Sequence, residues 1–71
     1  MSNHVYRVTE IVGSSSDSVD AAIRNATTRA AKTLHHLDWF EVTNIRGSFD
    51  NDEIAHFQVT MKVGFRLDDD Q

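Results

Sequence analysis

The fold is decided by the stretch IAHFQVTMKVGFRL, residues 54–67, in which apolar and polar side chains alternate. Apolar residues occupy every second position from Ala55 to Leu67, which is the period of a β-strand with one buried face. A strand of this span is about 46 Å long at ~3.3 Å per residue, whereas a compact domain of this size is only about 29 Å across. We therefore expect the strand to curl round the domain or to overhang it, with a bend marked by Gly64.

Two further β-strand patterns precede this one. Val5 to Val12 is rich in β-branched residues and predicts the first strand, which Gly13 and the serines after it are expected to stop. Asp38 to Phe49 predicts the second strand, and the polar cluster at 50–53 predicts the turn that follows it.

The alternation along the second strand is imperfect. Phe40 and Val42 are expected on one face, whereas Trp39, Ile45 and Phe49 are expected on the other. Either both faces of this strand have partners, or a β-bulge reverses the pattern midway.

An amphipathic helix is predicted between the first two strands. Apolar residues recur at steps of three and four from Asp17 to about His36, a helix about 20 residues and 30 Å long. Asp17 is the expected N-cap, with Asp20 three residues later as in a capping box. Because the middle of the apolar stripe is mostly alanine, we expect another element to approach this helix closely.

The element order β-α-β-β predicts the α+β fold class. A helix that returns antiparallel to strand 1 leaves strand 2 parallel to strand 1, so strand 3 can pair antiparallel with both only from the middle of the sheet. We therefore expect a single domain over residues 1–71, with a three-stranded antiparallel sheet of order 1-3-2 curled around one helix.

The size of the chain predicts self-association. One helix cannot cover a long three-stranded sheet, and a chain of this length buries only about 60% of its unfolded surface. The sequence contains no cysteine with which to cross-link so small a core. Self-association is then a common remaining source of stability, so we expect a homo-oligomer.

The net charge and the sequence near the termini restrict the kinds of partner that we expect. Seven Lys and Arg residues against eleven Asp and Glu residues give a net charge of −4, the opposite of a typical nucleic-acid binder. The sequence shows no signal-peptide pattern, and no apolar run approaches the ~18 residues that span a bilayer. We expect a cytoplasmic protein without nucleic-acid or membrane partners, and the acidic run at 68–70 is expected to be a solvated end.

Four side chains on the predicted strands are candidates for a ligand site. Trp39, the only tryptophan, is either a packing residue or a stacking platform for a flat ligand. Gln58 is either solvated or pairs its amide with the imide edge of a ligand. Arg46 and Arg66 either form ion pairs between subunits or bind a phosphate.

Neither a metal site nor a catalytic site is predicted. His35 and His36 are adjacent and would diverge by about 100° on a helix, and nothing requires His4 to meet His56. The sequence has no G-x-S-x-G nucleophile elbow and no glycine-rich phosphate loop. We therefore expect a protein that is not an enzyme.

Five segments together resemble the dodecin family across essentially the whole chain. The segments are VTEIVGSS at 8–15, LDWFEV at 37–42, IRG at 45–47, FQV at 57–59 and VGFRL at 63–67. The resemblance implies a small flavin-binding protein that assembles as a hollow homododecamer and stores or buffers FMN or riboflavin. It further implies paired flavins stacked between symmetry-related tryptophans, with quenching of the excited flavin.

The resemblance also assigns roles to the four candidates. Trp39 matches the stacking tryptophan, and Gln58 matches the glutamine that hydrogen-bonds the pyrimidine edge of the flavin. Arg46 and Arg66 match arginines associated in the bacterial branch with the phosphate-bearing ligand and with subunit contacts. Some members also bind coenzyme A. The alternatives to this hypothesis are a structural or interaction oligomer without flavin and a small flavin-dependent enzyme.

Overall fold

The computed structural model describes residues 3–67, which form one helix and three strands. In chain order these are β1 (Tyr6–Ser15), α1 (Val19–Ala30), β2 (Leu37–Asp50) and β3 (Glu53–Arg66). β3 is the central strand and pairs antiparallel with both neighbours, which confirms the predicted α+β class and the sheet order 1-3-2. The acidic run at 68–70 lies outside the described residues.

β1 continues through the glycine that was expected to stop it. Gly13 pairs with Val59 and lies against the helix, where an added Cβ would overlap the carbonyl oxygen of Ala22 and lie 2.7 Å from the Cβ of Ala26. The glycine therefore serves close packing and not strand termination. This contact also confirms that another element approaches the alanine stripe closely.

The helix begins one residue later than predicted. The N-cap is Ser18, whose hydroxyl accepts a hydrogen bond from the backbone N–H of Ala21 at 3.0 Å. The predicted cap, Asp17, instead donates its own backbone N–H to the hydroxyl of Ser15 at 2.9 Å. The capping prediction was wrong because Asp17 and Ser18 are adjacent and both residue types are favoured at the N-cap, so the sequence pattern alone does not distinguish them.

The helix also ends earlier than the predicted His36. α1 ends at Ala30, and the chain then winds through one more turn, in which Leu34 N–H donates to the carbonyl of Ala30 at 2.8 Å. His36 has a φ of 65°, a left-handed conformation that no helix interior accepts. No proline or glycine marks this end, so the apolar period running on through Leu34 and Leu37 gave no warning of it.

The core lies between α1 and the helix-facing side of β3. Val59, Met61 and Val63 are fully buried there against Ala22 of the helix. Partly buried residues from the other elements complete the cluster: Ile11, Val19, Ile23, Ala26 and Leu37. β2 contributes little to this core, because every residue after Leu37 in that strand is exposed.

A bulge resolves the imperfect alternation of β2. The pairing register shifts between Val42 and Asn44, so that Ile45 pairs with the core residue Val59 and faces the helix side with Phe40 and Val42. The predicted grouping of Ile45 with Trp39 was therefore wrong, whereas the bulge was one of the two alternatives expected. The extra residue, Thr43, donates its hydroxyl to the carbonyl of Thr60 at 3.2 Å.

The β2–β3 hairpin overhangs the rest of the molecule. β1 reaches only to the level of Phe57, so residues 48–56 extend beyond it, and the described chain measures 56 × 20 × 14 Å. Asn51 and Asp52 form the tip with φ values of 53° and 64°, the signs required by a two-residue type I′ turn. The overhang confirms one of the two outcomes that the length of the third strand predicted.

Candidate functional site

The face of the sheet that points away from α1, hereafter the outer face, collects all four candidate residues. On β3 it carries the side chains of alternate residues: Gln58, Thr60, Lys62, Gly64 and Arg66. Trp39 pairs with Gly64 and Arg46 pairs with Gln58, which brings both β2 side chains to the same face. No member of this set lies in the core under the helix.

The indole of Trp39 rests on the backbone of Gly64. A Cβ built on Gly64 would lie 2.6 Å from Cη2 of the indole and would overlap Cζ2 and Cε2 as well. Gly64 is therefore a seat for the indole. This contact explains why the strand has a glycine at position 64 better than the predicted bend does. Trp39 remains 43% exposed, so a large part of its π surface is available to a partner.

A second aromatic side chain supports Trp39 from β1, the edge strand on the opposite side of β3. The ring of Tyr6 lies 5.2 Å from the indole between centroids, at an interplanar angle of 63°, which is edge-to-face geometry. His4 stands edge-on to Tyr6 in turn, at 6.4 Å and 75°. Tyr6 was not predicted as a site residue, because only the pairing of β1 with β3 places it beside an indole that is carried by β2.

Arg46 and Gln58 form a polar pair at the other end of the outer face. The Nε–H of Arg46 donates to Oε1 of Gln58 at 2.9 Å. The bond fixes the orientation of the amide and leaves its NH2 group, which carries two donors, to meet a ligand. The guanidinium retains its terminal N–H donors for an anionic or carbonyl acceptor.

The indole seat and the polar pair are separated along β3. Gly64 and Gln58 are six residues apart in sequence, which corresponds to about 20 Å of strand. A flat three-ring ligand stacked on Trp39 cannot reach Gln58 of the same chain. If both groups serve one ligand, a second copy of the chain must supply one of them.

Arg66 belongs to the tryptophan end of the outer face. It pairs across the sheet with Tyr6, and its backbone N–H donates to the carbonyl of His36 at 3.0 Å. Together with His36, Leu37 and Asp38 it lines a shallow depression of about 220 Å³. The structure thus places Arg46 beside Gln58 and Arg66 beside Trp39, and it does not bring the two arginines together.

Within residues 3–67, no group of three or more His, Asp or Glu side chains is arranged to hold a metal ion. The one helix of this part of the chain is too short and too polar to cross a bilayer.

Comparison with known proteins gives consistent matches over nearly the whole chain. The family model described as Dodecin matches residues 5–68. A dodecin from Thermus thermophilus is 49% identical over 65 residues, which cover 92% of this chain and 94% of the relative. Among solved structures, dodecin from Streptomyces davaonensis matches with a TM-score of 0.93 and 65% identity, covering 96% of this chain and all of that one. Dodecin from Streptomyces coelicolor matches with a TM-score of 0.93 and 60% identity over 99% of this chain and all of the other.

Proposed function

The chain belongs to the dodecin family, and from that premise we propose that it stores a flavin, FMN or riboflavin, between the subunits of a homododecamer. The observation that carries the proposal is the division of the outer face into two halves about 20 Å apart. Each half has the chemistry of one part of a flavin site, and neither half is complete in one chain.

The exposed indole supplies the stacking surface of the proposed site. Trp39 sits on Gly64 and packs edge-to-face with Tyr6, so the ring is held in place before any ligand arrives. An aromatic pair contributes ~0.5–1.5 kcal/mol beyond the burial of its area. Symmetry-related copies of Trp39 would provide both walls of a stack of two flavins, and this contact would quench the excited flavin by electron transfer.

The polar pair supplies the hydrogen bonds of the proposed site. The pyrimidine edge of an isoalloxazine carries carbonyl acceptors and an N–H donor, and the amide of Gln58 offers groups of both kinds. Arg46 orients that amide through its 2.9 Å hydrogen bond. A buried donor or acceptor without a partner costs about 1–3 kcal/mol, so an amide held in one orientation discriminates between ligand edges.

The arginines also suit the phosphate of FMN. A guanidinium binds phosphate through paired N–H donors, and Arg46 and Arg66 bring such groups to opposite ends of the outer face. We extend the proposal to coenzyme A as a further phosphorylated ligand, as the family resemblance implies. A flavin enclosed between two rings is shielded from substrates, so the proposed role is storage in the cytoplasm and not catalysis.

The experiment combines the native mass of the purified protein with a flavin fluorescence titration. The proposal expects an oligomer of twelve subunits and quenching of FMN or riboflavin on binding. Trp39→Ala should abolish most of the quenching and weaken binding, and Trp39→Phe, which keeps a smaller aromatic wall, should be intermediate. Unchanged affinity in Trp39→Ala would overturn the stacking assignment.

A structural oligomer without flavin is the second candidate function. It is favoured by the exposed apolar strip on the helix side of β2, formed by Phe40, Val42 and Ile45, which calls for a protein partner whether or not a ligand binds. An oligomeric native mass together with no quenching and no thermal stabilisation by excess FMN would establish this candidate instead.

A further inference from the structure

A cleft of about 760 Å³ opens between α1 and β1, on the opposite side of the sheet from the outer face. Three cationic side chains line it: Arg24, Arg29 and Lys32. Among residues 3–67 no carboxylate lines this cleft, although the whole sequence carries a net charge of −4. Its floor is partly apolar, through Ile11 of β1, which pairs with the core residue Met61, and Ala26 of α1.

The cleft lies along an edge strand. Within the described residues β1 pairs only with β3, so its other edge faces this space. One backbone acceptor of that edge, the carbonyl of Ser14, takes a hydrogen bond from the side chain of Asn25 at 3.1 Å. Exposed sheet edges are sites where proteins associate unless another element covers them.

The tip of the β2–β3 hairpin, residues 48–54, has the complementary composition. Three carboxylates stand at or beside the turn: Asp50, Asp52 and Glu53. The cross-strand pair of Phe49 and Ile54 is 76% and 58% exposed. The tip overhangs β1, so within the described part of the subunit this apolar pair lies beyond the first strand and stays open to solvent.

We propose that the hairpin tip of one subunit occupies the α1–β1 cleft of a neighbouring copy. The tip brings three negative charges to three positive ones, and an unpartnered apolar pair to a partly apolar floor. Complementary potentials of this kind fix the register of two surfaces and raise the rate at which they meet. The inference rests on the assembly contained in the proposed function, but it does not depend on flavin.

The contact has a consequence for symmetry. Tip and cleft are different surfaces, so each subunit gives its tip to one neighbour and receives a tip from another. A heterologous contact of this type closes into a ring or continues as a filament. A closed assembly therefore contains rings of subunits joined tip to cleft.

Disulfide cross-linking tests the contact directly, because the sequence contains no cysteine. The variant Thr28→Cys/Asp52→Cys places one thiol in the cleft and one at the tip, both at exposed positions. After oxidation we expect a ladder of covalent multimers that disappears on reduction. The largest multimer should contain as many subunits as the ring. The matched control, Lys62→Cys/Asp52→Cys, carries its second thiol on the outer face and should give no ladder beyond a dimer.

Two results would overturn the inference while leaving the proposed function intact. One is an oligomeric native mass without a ladder, and the other is an equal ladder from the control. If the cleft instead binds a small anion, the ladder is absent and inorganic phosphate protects Thr28→Cys from a thiol reagent. A monomeric native mass would overturn both the proposed assembly and this inference. A ladder without flavin quenching would overturn only the flavin-binding part of the proposed function.

Charge reversal provides a second test that needs no new thiol. Glu53→Lys should weaken the oligomer, because like charges then meet in the cleft. The protein concentration at which half of the oligomer is dissociated should rise by about tenfold or more. Adding Lys32→Glu should restore assembly. Adding Arg7→Glu instead makes the same change in net charge at the far end of β1 and should not restore it. Equal rescue by both second changes would refute a specific contact.

Discussion

Replacing Gly64 by alanine tests whether the seat beneath Trp39 is part of the ligand site. The new methyl group would lie 2.6 Å from Cη2 of the indole, whereas two carbon atoms rest at about 3.5–4.0 Å. The ring must therefore rise by about 1 Å or turn away. Since Trp39 is 43% exposed, it can do either without unfolding the sheet.

The expected effect falls on binding more than on stability. A displaced indole loses part or all of one aromatic pair, worth ~0.5–1.5 kcal/mol, so the dissociation constant for FMN should rise about 2- to 12-fold. Overpacking costs about 1–3 kcal/mol and is offset in part by the ~0.5–1 kcal/mol gained when alanine replaces a strand glycine. We expect the free energy of unfolding to fall by about 0–2.5 kcal/mol.

Two fluorescence signals report the result. Trp39 is the only tryptophan, so a change in protein emission reports its environment alone, and flavin quenching reports binding. Gly47→Ala is the matched control, since its methyl group would press on the carbonyl oxygen of His56 at 2.8 Å and not on an indole. In a Trp39→Ala background, Gly64→Ala should have no further effect on binding. Wild-type affinity and wild-type emission in Gly64→Ala would refute the reasoning.

Three predictions concern stability and are measured by chemical denaturation at one fixed protein concentration, because an oligomer is stabilised by mass action. Ser18→Ala removes the N-cap hydrogen bond to Ala21 and should lower the free energy of unfolding by about 0.5–2 kcal/mol, whereas the exposed Ser16→Ala should change it little. Gly13→Ala forces α1 away from β1 and should cost about 1–3 kcal/mol; an unchanged midpoint would show that the helix contact is not tight. Met61→Ala opens a cavity in the fully buried core and should cost about 2–5 kcal/mol, and a loss below about 1 kcal/mol would contradict the assigned core.

The sequence predicted the sheet well because its strongest signal lies in the central strand. The strict alternation from Ala55 to Leu67 identified β3, and its excess length predicted the overhang of the hairpin. The element order then left few topologies for a sheet of three strands. A bulge in β2 was foreseen as one of two alternatives from the imperfect alternation, but its position at Thr43 is seen only in the pairing register.

The errors occurred where tertiary contacts overrule local patterns. Gly13 looked like a strand terminus, but the approach of the helix is what requires a residue without a side chain there. The end of the helix at Ala30 was missed because its C-cap, Ala31, has a right-handed conformation and no glycine or asparagine follows to signal the end. Within the candidate site, Tyr6 could not be found from sequence, because its contact with Trp39 spans three strands.

The position of β3 in the middle of the sheet constrains the order of events when the chain is made. β1 and β2 are synthesised first, yet within the described residues each of them pairs as a strand only with β3. No sheet can form until the last strand has left the ribosome, so every strand pairing is completed in one late step. Until then the apolar side chains of both earlier strands have no sheet to join, and rapid collapse once β3 is available is their main protection from aggregation.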